Sequence, residues 1–204
     1  MSKIAFPFKL ETKRLVIASP KASDAQAFFE AVIDSYDILK PWMPWVDAVT
    51  TIGQAKDSCL KAEKAFMEGT DYRLHIFLKD TGTFIGGSGL HSVDWSIPKM
   101  EIGYWGRLSH RNNGYITEAV DAISRYALQS LQANRVEIMA SSVNKPSLRI
   151  PERLGYTLEG ILKNVSRHAD GSLRDTCIYA VTSTAQLKFT ADVTRRPSGS
   201  GQRS

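Results

Sequence analysis

The residues best suited to chemistry lie in one stretch, Met100 to Tyr126, where a short apolar strand leads through a polar turn into an amphipathic helix. The strand is predicted to end at Trp105, and the helix to begin near Asn113. The first N–H groups of a helix have no partner within it, and the helix dipole favours negative charge there. The groups that could hold a phosphate are the backbone N–H groups of Asn113, Gly114, Tyr115 and Ile116.

Two motifs that commonly hold nucleotide phosphates are absent from the sequence. Neither Gly-x-x-x-x-Gly-Lys-Ser/Thr nor Gly-x-Gly-x-x-Gly occurs, and the turn reads Arg111-Asn112-Asn113-Gly114-Tyr115-Ile116. Taken alone, this run fits a phosphate-binding turn or a plain strand-to-helix turn equally well.

Length and charge narrow the class of protein. The chain has 204 residues, of which 43% are hydrophobic and 23% charged, which predicts one domain over residues 1–189. Residues 190–204 are rich in Ser, Gly, Pro and Arg and are predicted to be a disordered tail. The formal charge of +5 includes +2 from that tail, where Arg195, Arg196 and Arg203 stand against Asp192. The remaining 5 − 2 = +3 suits an anionic cofactor better than nucleic acid.

Cysteine and histidine usage gives no sign of a metal site or a disulfide framework. Cys59 and Cys177 lie far apart with no metal-ligand spacing, so reduced thiols are expected. His75 and His91 are single histidines in predicted strands, for which ordinary hydrogen bonding is the expected role. The sequence contains no apolar run long enough to span a bilayer, and the predicted location is the cytoplasm.

Hydrophobic periodicity predicts an α+β domain with seven strands and four helices. The strands are expected over 13–18, 72–78, 83–91, 100–105, 135–140, 156–166 and 173–181. The first helix is expected to be capped by Ser23 and to end near Asp34, the second to cover 52–68, the third to follow the turn described above, and the fourth to be capped by Asn144 and ended by Gly155.

Two further stretches carry structural signals. Gly86, Gly87 and Gly89 lie within one strand and predict a bulge or the close approach of another group. The run Leu39 to Val46 reads LKPWMPWV, where two prolines stop regular structure and Trp42, Met43 and Trp45 supply apolar area. It fits a hydrophobic loop over the core, one wall of a substrate pocket, or both.

The chain resembles the GNAT superfamily of N-acetyltransferases. Arg111 and Gly114 match the acyl-CoA-binding motif Arg/Gln-x-x-Gly-x-Gly/Ala, from which Ile116 departs at the last small position. A second block, Asn144-x-x-Ser147 followed by Glu152-Arg153-Leu154-Gly155-Tyr156, is similar to the run that follows the fifth strand. Similarity to the RimJ/RimL type, which acetylates ribosomal-protein N-termini, rests on Glu11-Thr12-Lys13-Arg14-Leu15, residues 39–45, Glu101-Ile102-Gly103-Tyr104-Trp105 and Leu158-Glu159-Gly160.

The resemblance implies the GNAT fold, a mixed and mostly antiparallel sheet of six to seven strands with about four helices. The sheet is expected to splay between its fourth and fifth strands, and acetyl-CoA to enter the gap without a metal ion. The residues expected to bind the cofactor are Tyr104, Arg111, Asn113, Gly114, Tyr115, Ile116, Asn144 and Ser147.

Acetyl transfer to an amine also requires a base, an oxyanion donor and a partner for the leaving thiolate. Glu101 is predicted to be the base, acting through water. A bulge at Gly103 is expected to free an N–H group for the oxyanion. Ser147 is expected to hydrogen-bond the thiolate, with Tyr104 and Tyr156 as alternative proton donors. Trp42, Trp45 and Glu101 are predicted to contact the substrate.

Two departures from the relatives' pattern concern the same chemistry. A glutamate that follows the Leu-Glu-Gly run in some relatives is absent here, where the sequence reads Lys163-Asn164-Val165-Ser166. Pro151 lacks an N–H group, so it cannot bond the carbonyl of Ser147 and is expected to kink the fourth helix there.

The predicted function is direct transfer of acetyl to a protein N-terminal α-amine, as on a ribosomal protein. A small amine such as a polyamine, amino acid or antibiotic is the alternative acceptor, and a CoA-binding sensor without catalysis is the alternative class. No direct partnership with nucleic acid or a membrane is expected. Relatives are often dimers, so a homodimer is a further expectation from the resemblance.

Overall fold

One eight-stranded sheet organises the chain. A computed structural model describes residues 4–168 and 171–188, so the tail prediction for 190–204 lies outside the described residues. The strands are β1 (Lys9–Glu11), β2 (Leu15–Ala18), β3 (Tyr72–Leu78), β4 (Phe84–Asp94), β5 (Lys99–Gly106), β6 (Arg135–Ser141), β7 (Thr157–Arg167) and β8 (Leu173–Val181). The α-helices of the described residues are α1 (Ala25–Leu39), α2 (Ile52–Glu68), α3 (Tyr115–Gln129) and α4 (Lys145–Leu154).

The sheet has the order β1-β2-β3-β4-β5-β6-β8-β7, and its one parallel pair is β5 with β6. That pair is short, because only Lys99–Glu101 of β5 are in register with β6. The two strands part after Glu101, which confirms the splay predicted between these elements. The eighth strand is β1, whose three residues are too few to show periodicity.

The helices cover both faces of the sheet. Side chains of α1 and α2 pack around Phe84 in one core cluster, and side chains of α3 and α4 pack on the other face against residues such as Ile76 and Ile102. The apolar stripe of α3 includes Val120 and Ile123, both buried as predicted. Each face of the sheet therefore has its own core. The gap between β5 and β6 is bordered by the α1–α2 layer on one face and the α3–α4 layer on the other.

The start of α1 differs from the prediction. Ser23 lies inside a short 3-10 turn, Ala22–Asp24, and is not a cap. The neighbouring Asp24 is drawn into tertiary contacts, with its carboxylate 2.8 Å from His75 Nδ1. The helix also continues beyond Asp34 to Leu39, because its buried face still has partners there. The predicted Asn144 cap and Gly155 end of α4 are confirmed.

The glycines of β4 accommodate large side chains, as their pattern predicts. A Cβ atom on Gly87 would lie 2.6 Å from Trp105 Nε1, and one on Gly89 would lie 2.8 Å from His91 Nε2. At Gly86 the backbone also bends, with a register shift against β3 between Ile76 and Phe77. These glycines allow an indole and an imidazole to lie flat on the sheet.

Candidate active site

The predicted phosphate-binding turn ends in a helix start, two positions later than expected. Gly114 is the N-cap of α3 with φ +75°, a conformation that favours glycine, and α3 begins at Tyr115. Glu118 N–H donates to the Gly114 carbonyl at 3.0 Å. The N–H groups without a partner inside the helix are therefore those of Tyr115, Ile116 and Thr117. Asn113 precedes them, and its carbonyl accepts a 3.0 Å hydrogen bond from Arg14.

Arg14 fixes the start of α3 against β2. Its Nε donates to Glu118 Oε2 at 2.6 Å, and its guanidinium lies 4.6 Å from the centre of the Tyr115 ring. Glu118 is 4% exposed and also accepts a 2.5 Å hydrogen bond from Thr12. The sequence analysis missed this ion pair, because 104 positions separate Arg14 from Glu118. The only signal was a glutamate beside the apolar stripe of α3.

A groove of about 610 Å³ runs from this helix start to α4. Seven of the eight predicted cofactor residues line it, and Asn113 is the exception. Three arginines that the motif comparison did not assign also line the groove, namely Arg107, Arg149 and Arg153. Guanidinium groups and the N–H groups at a helix start are both suited to binding polyphosphate, although Arg107 is also ion-paired with Asp34 at 3.0 Å.

The splay supplies an N–H group that faces the gap. Arg107 N–H donates to Ile85 at 2.8 Å, and the β4–β5 register runs without a shift from Gly86–Gly106 to His91–Glu101. Because bonding directions alternate along a strand, the N–H of Tyr104 points away from β4, where β6 has already parted. The predicted bulge at Gly103 is therefore wrong. The candidate oxyanion donor arises from the splay instead.

Tyr104 also joins β5 to α4. Its hydroxyl donates to the Ser147 carbonyl at 2.8 Å, and Ser147 Oγ donates back to that hydroxyl at 3.2 Å. Ser147 N–H donates to Asn144 Oδ1 at 3.3 Å. Pro151 lies inside α4, which remains helical on both sides of it, so the Ser147 carbonyl lacks its usual N–H donor. Burial raises the pKa of Tyr104, so this hydroxyl keeps its proton at neutral pH.

Tyr156, the other tyrosine proposed as a donor, is not brought to the groove. Its hydroxyl lies 2.6 Å from Ser124 Oγ within the core, and its ring is 5% exposed. Burial raises its pKa as well. It lines neither the groove nor the two cavities described next.

Two further cavities meet the groove at Tyr104 and Met43, which line all three. The first, called the α2 cavity, has a volume of about 600 Å³ and is lined by Trp45, Trp105, His91, Gly103 and residues of α2. The second, called the splay cavity, has a volume of about 460 Å³ and is lined by Glu101, Trp42, Ser166 and Arg174. The predicted substrate residues thus fall into two cavities, with Trp45 in one and Trp42 and Glu101 in the other.

Two acidic groups beside these cavities, Glu101 and Cys59, have raised pKa values. Burial raises the pKa of Glu101, although the charges of His91 and Lys99 act against it. Cys59 lines the α2 cavity, and burial raises the pKa of its thiol to about 12. A thiol held in that form is a poor nucleophile, which argues against a cysteine intermediate.

The described residues contain neither a metal-binding cluster nor a membrane-spanning helix. Within residues 4–168 and 171–188, no cluster of three or more His, Cys, Asp or Glu side chains could hold a metal ion. Among those same residues, none of the helices is both long and apolar enough to span a bilayer.

A splayed sheet whose gap joins a groove lined by arginines to two cavities is an arrangement suited to a group-transfer enzyme. The chain belongs to the GNAT acetyltransferase family, because the family model described as "Acetyltransferase (GNAT) domain" matches residues 14–157. The GNAT fold that the resemblance implied is thereby confirmed, with eight strands in the sheet instead of six to seven.

Known proteins extend this assignment over most of the chain. It is 28% identical over 176 residues to "Uncharacterized N-acetyltransferase p20" of Bacillus licheniformis, covering 84% of this chain and 94% of that protein. It is 26% identical over 177 residues to "[Ribosomal protein uS5]-alanine N-acetyltransferase" of Escherichia coli, covering 86% and 91%. Mycobacterium smegmatis RimJ, solved with CoA-disulfide, has a TM-score of 0.79 at 22% identity, covering 88% and 90%, and shows the same fold.

Proposed function

We propose that this acetyltransferase uses acetyl-CoA to acetylate the α-amine of a protein N-terminus, in the manner of the ribosomal-protein enzymes, in the cytoplasm. The observation that carries the proposal is the position of Tyr104. This residue borders the cationic groove and both cavities, and its N–H faces the gap between β5 and β6. A thioester held in the groove would present its carbonyl at this point to an amine from the other side.

The cofactor is proposed to lie along the groove. The free N–H groups of Tyr115, Ile116 and Thr117, with Arg111 beside them, would hold its pyrophosphate. Asn144 and Ser147, at the start of α4, would lie near its thiol end. The fit of acetyl-CoA to this groove rests on the arginines that line it and on the N–H groups at the start of α3.

The chemistry is a direct displacement. The amine nitrogen bonds to the acetyl carbon, and negative charge develops on the carbonyl oxygen, where the Tyr104 N–H can stabilise it. The carbon–sulfur bond then breaks, and Ser147 Oγ is placed to hydrogen-bond the departing thiolate. The proton lost by the nitrogen leaves on the side of β5 that carries Glu101.

A peptide N-terminus is favoured by the open splay cavity. Trp42 packs edge to face on His168, with ring centres 6.2 Å apart, so the α1–α2 loop and the end of β7 flank this cavity. The names of relatives point the same way, including the uS5-alanine enzyme of Escherichia coli. An α-amine, with a pKa of about 7.7–8.0, is partly neutral at pH 7, unlike a lysine side chain near 10.4.

A small amine is the second candidate acceptor. The observation in its favour is the α2 cavity, which is largely walled by apolar and aromatic side chains and could enclose an apolar substituent.

Thiol release from acetyl-CoA separates these acceptors. The protein is incubated with acetyl-CoA and, in parallel, peptides with free α-amines, polyamines and free amino acids. Release with the peptides supports the proposal. Thiol release with small amines only would show that the acceptor is a small amine and not a peptide. No thiol release with any amine would contradict the proposed function.

A further inference from the structure

A histidine–aspartate pair lies directly across the strands from Glu101. His91 is the register partner of Glu101, so the two side chains project from the same face of the sheet. His91 Nδ1 lies 2.6 Å from Asp71 Oδ1, and Asp71 Oδ2 accepts a 3.0 Å hydrogen bond from Arg73. The sequence analysis predicted hydrogen bonding for His91 but gave it no part in the reaction.

Asp71 determines which ring nitrogen of His91 is basic. Burial alone would raise the pKa of Asp71, but the hydrogen bonds from His91 and Arg73 outweigh it and hold that pKa below its usual value. An ionised Asp71 requires a proton on the facing Nδ1 of a neutral imidazole, which leaves the lone pair on Nε2.

Two glycines direct Nε2 towards β5. A Cβ atom on Gly89 would lie 2.8 Å from His91 Nε2, and one on Gly103 would lie 3.3 Å from it. The ring therefore extends across both strands to the residue just before Tyr104. Among the hydrogen bonds of the described residues, the ring uses Nδ1 alone.

The α2 cavity brings this nitrogen to the site of attack. His91, Gly103 and Tyr104 line the same cavity, and the Tyr104 N–H is the proposed oxyanion donor. Gly103 and Tyr104 also line the splay cavity, so the α-amine of a peptide held there reaches the same point as an amine from the α2 cavity and meets Nε2. Of the three cavities, Glu101 lines the splay cavity only.

We propose that His91 Nε2 accepts the proton of the attacking amine, with Asp71 as its positioning residue, an inference that rests on the proposed function. As the C–N bond forms, the proton moves from nitrogen to Nε2, and the C–S bond breaks to give the thiolate. The resulting imidazolium lies between the carboxylates of Asp71 and Glu101. The His91 side chain is 33% exposed, so the proton can pass from it to solvent.

His75 provides a matched control, because it forms a second histidine–aspartate pair on the adjacent strand. Its Nδ1 lies 2.8 Å from Asp24, but its side chain is only 8% exposed. Its ring stacks on Phe28, with centres 5.7 Å apart and planes 15° apart, and packs on Phe84. His75 is thus part of the packing between β3 and α1.

The test compares His91→Gln and His75→Gln with the wild type at pH 7 and pH 9.5, using acetyl-CoA and a peptide with a free α-amine. We expect His91→Gln to lower kcat at least about tenfold at pH 7 and less than about threefold at pH 9.5, where hydroxide from solvent can accept the proton instead. His75→Gln should lower the melting temperature, and because His75 also lines the α2 cavity, any loss of kcat should be the same at both pH values. Asp71→Asn should reproduce the pH-dependent loss in weaker form, because it disturbs only the orientation of His91.

The charged groups around His91 could also respond to pH, so rates are read as the ratio of variant to wild type at each pH. They are Asp71 and Arg73 beside β3, Glu101 on β5, and Asp57 and Lys61 on α2.

An equal loss of kcat in His91→Gln at both pH values, or no loss at either, would overturn the role of His91. If the wild type acetylates only small amines, the proposed function fails, and the same ratio measured on that amine still decides the inference. Should His91→Gln not fold, the pH dependence of Asp71→Asn decides it.

Discussion

The hydroxyl of Tyr104 donates its hydrogen bond to the carbonyl of Ser147, at 2.8 Å, four residues before Pro151. In an uninterrupted helix that carbonyl would accept the N–H of residue 151, which proline lacks. A helix defect in α4 is thereby matched by a side chain from β5. The contact ties the two sides of the splay together beside the proposed position of the thioester.

This relationship predicts coupling between Tyr104 and Pro151. Tyr104→Phe should lower the free energy of unfolding by about 1 to 3 kcal/mol, because it leaves the Ser147 carbonyl without a donor. In a Pro151→Ala background the loss should be smaller, since the new N–H can bond that carbonyl. Denaturant unfolding of the four proteins measures the coupling, and an equal loss in both backgrounds would show that the carbonyl does not depend on Tyr104.

Glu101 and Ser147 should affect turnover more than cofactor binding. Glu101→Gln removes a carboxylate from the side of β5 where the proton leaves, and Ser147→Ala removes the proposed partner of the thiolate. We expect kcat to fall about tenfold for Glu101→Gln, because its charge would stabilise the imidazolium formed on His91, and less for Ser147→Ala. CoA affinity, measured by calorimetry, should stay near normal. Unchanged kcat in both variants would refute these roles.

Arg111 should affect the cofactor instead. Arg111→Ala is expected to raise the apparent KM for acetyl-CoA about tenfold, the equivalent of one charge-assisted hydrogen bond of about 1.4 kcal/mol. Lys64→Ala is the control for loss of one positive charge, because that side chain is 74% exposed on α2, away from the groove. Equal KM values for the two variants would argue against Arg111 as a phosphate ligand.

Glu11 should make stability depend on acid pH. Hydrogen bonds from Lys79 and Lys9 lower the pKa of this carboxyl from 4.5 to about 2. Because the folded pKa lies below the unfolded one, the contribution to stability is complete above about pH 4.5 and is lost as pH falls towards 2. Melting temperatures measured across this range should fall more steeply for wild type than for Glu11→Gln. Parallel curves would contradict the assignment.

The sequence predicted best where the signal was local. The α3 stripe, the Asn144 cap and the β3–β4 hairpin depend on neighbours within one or two turns, and the structure confirms them. Ser23 failed as a cap because Asp24 is held by His75, 51 positions away. The bulge at Gly103 failed for a related reason, since the free N–H group arises from where β6 parts.

The candidate site shows the same limit. The motifs predicted the groove, but Arg14 reaches Glu118 across 104 positions, and the β3–β4 hairpin brings His91 to Asp71. No spacing in the sequence distinguishes His91 from His75. Both histidines line the α2 cavity, and only the packing shows that the His75 ring stacks on Phe28 while the His91 ring reaches Gly103 beside Tyr104.

The most direct test of the central claim uses two matched peptides with acetyl-CoA. One has a free α-amine and no lysine, and the other has a blocked N-terminus and a single lysine. Mass spectrometry after incubation should show the acetyl mass on the first peptide only, with thiol release in equal amount. Acetylation of the lysine peptide alone, or of neither peptide, would contradict the assignment of a protein N-terminal acceptor.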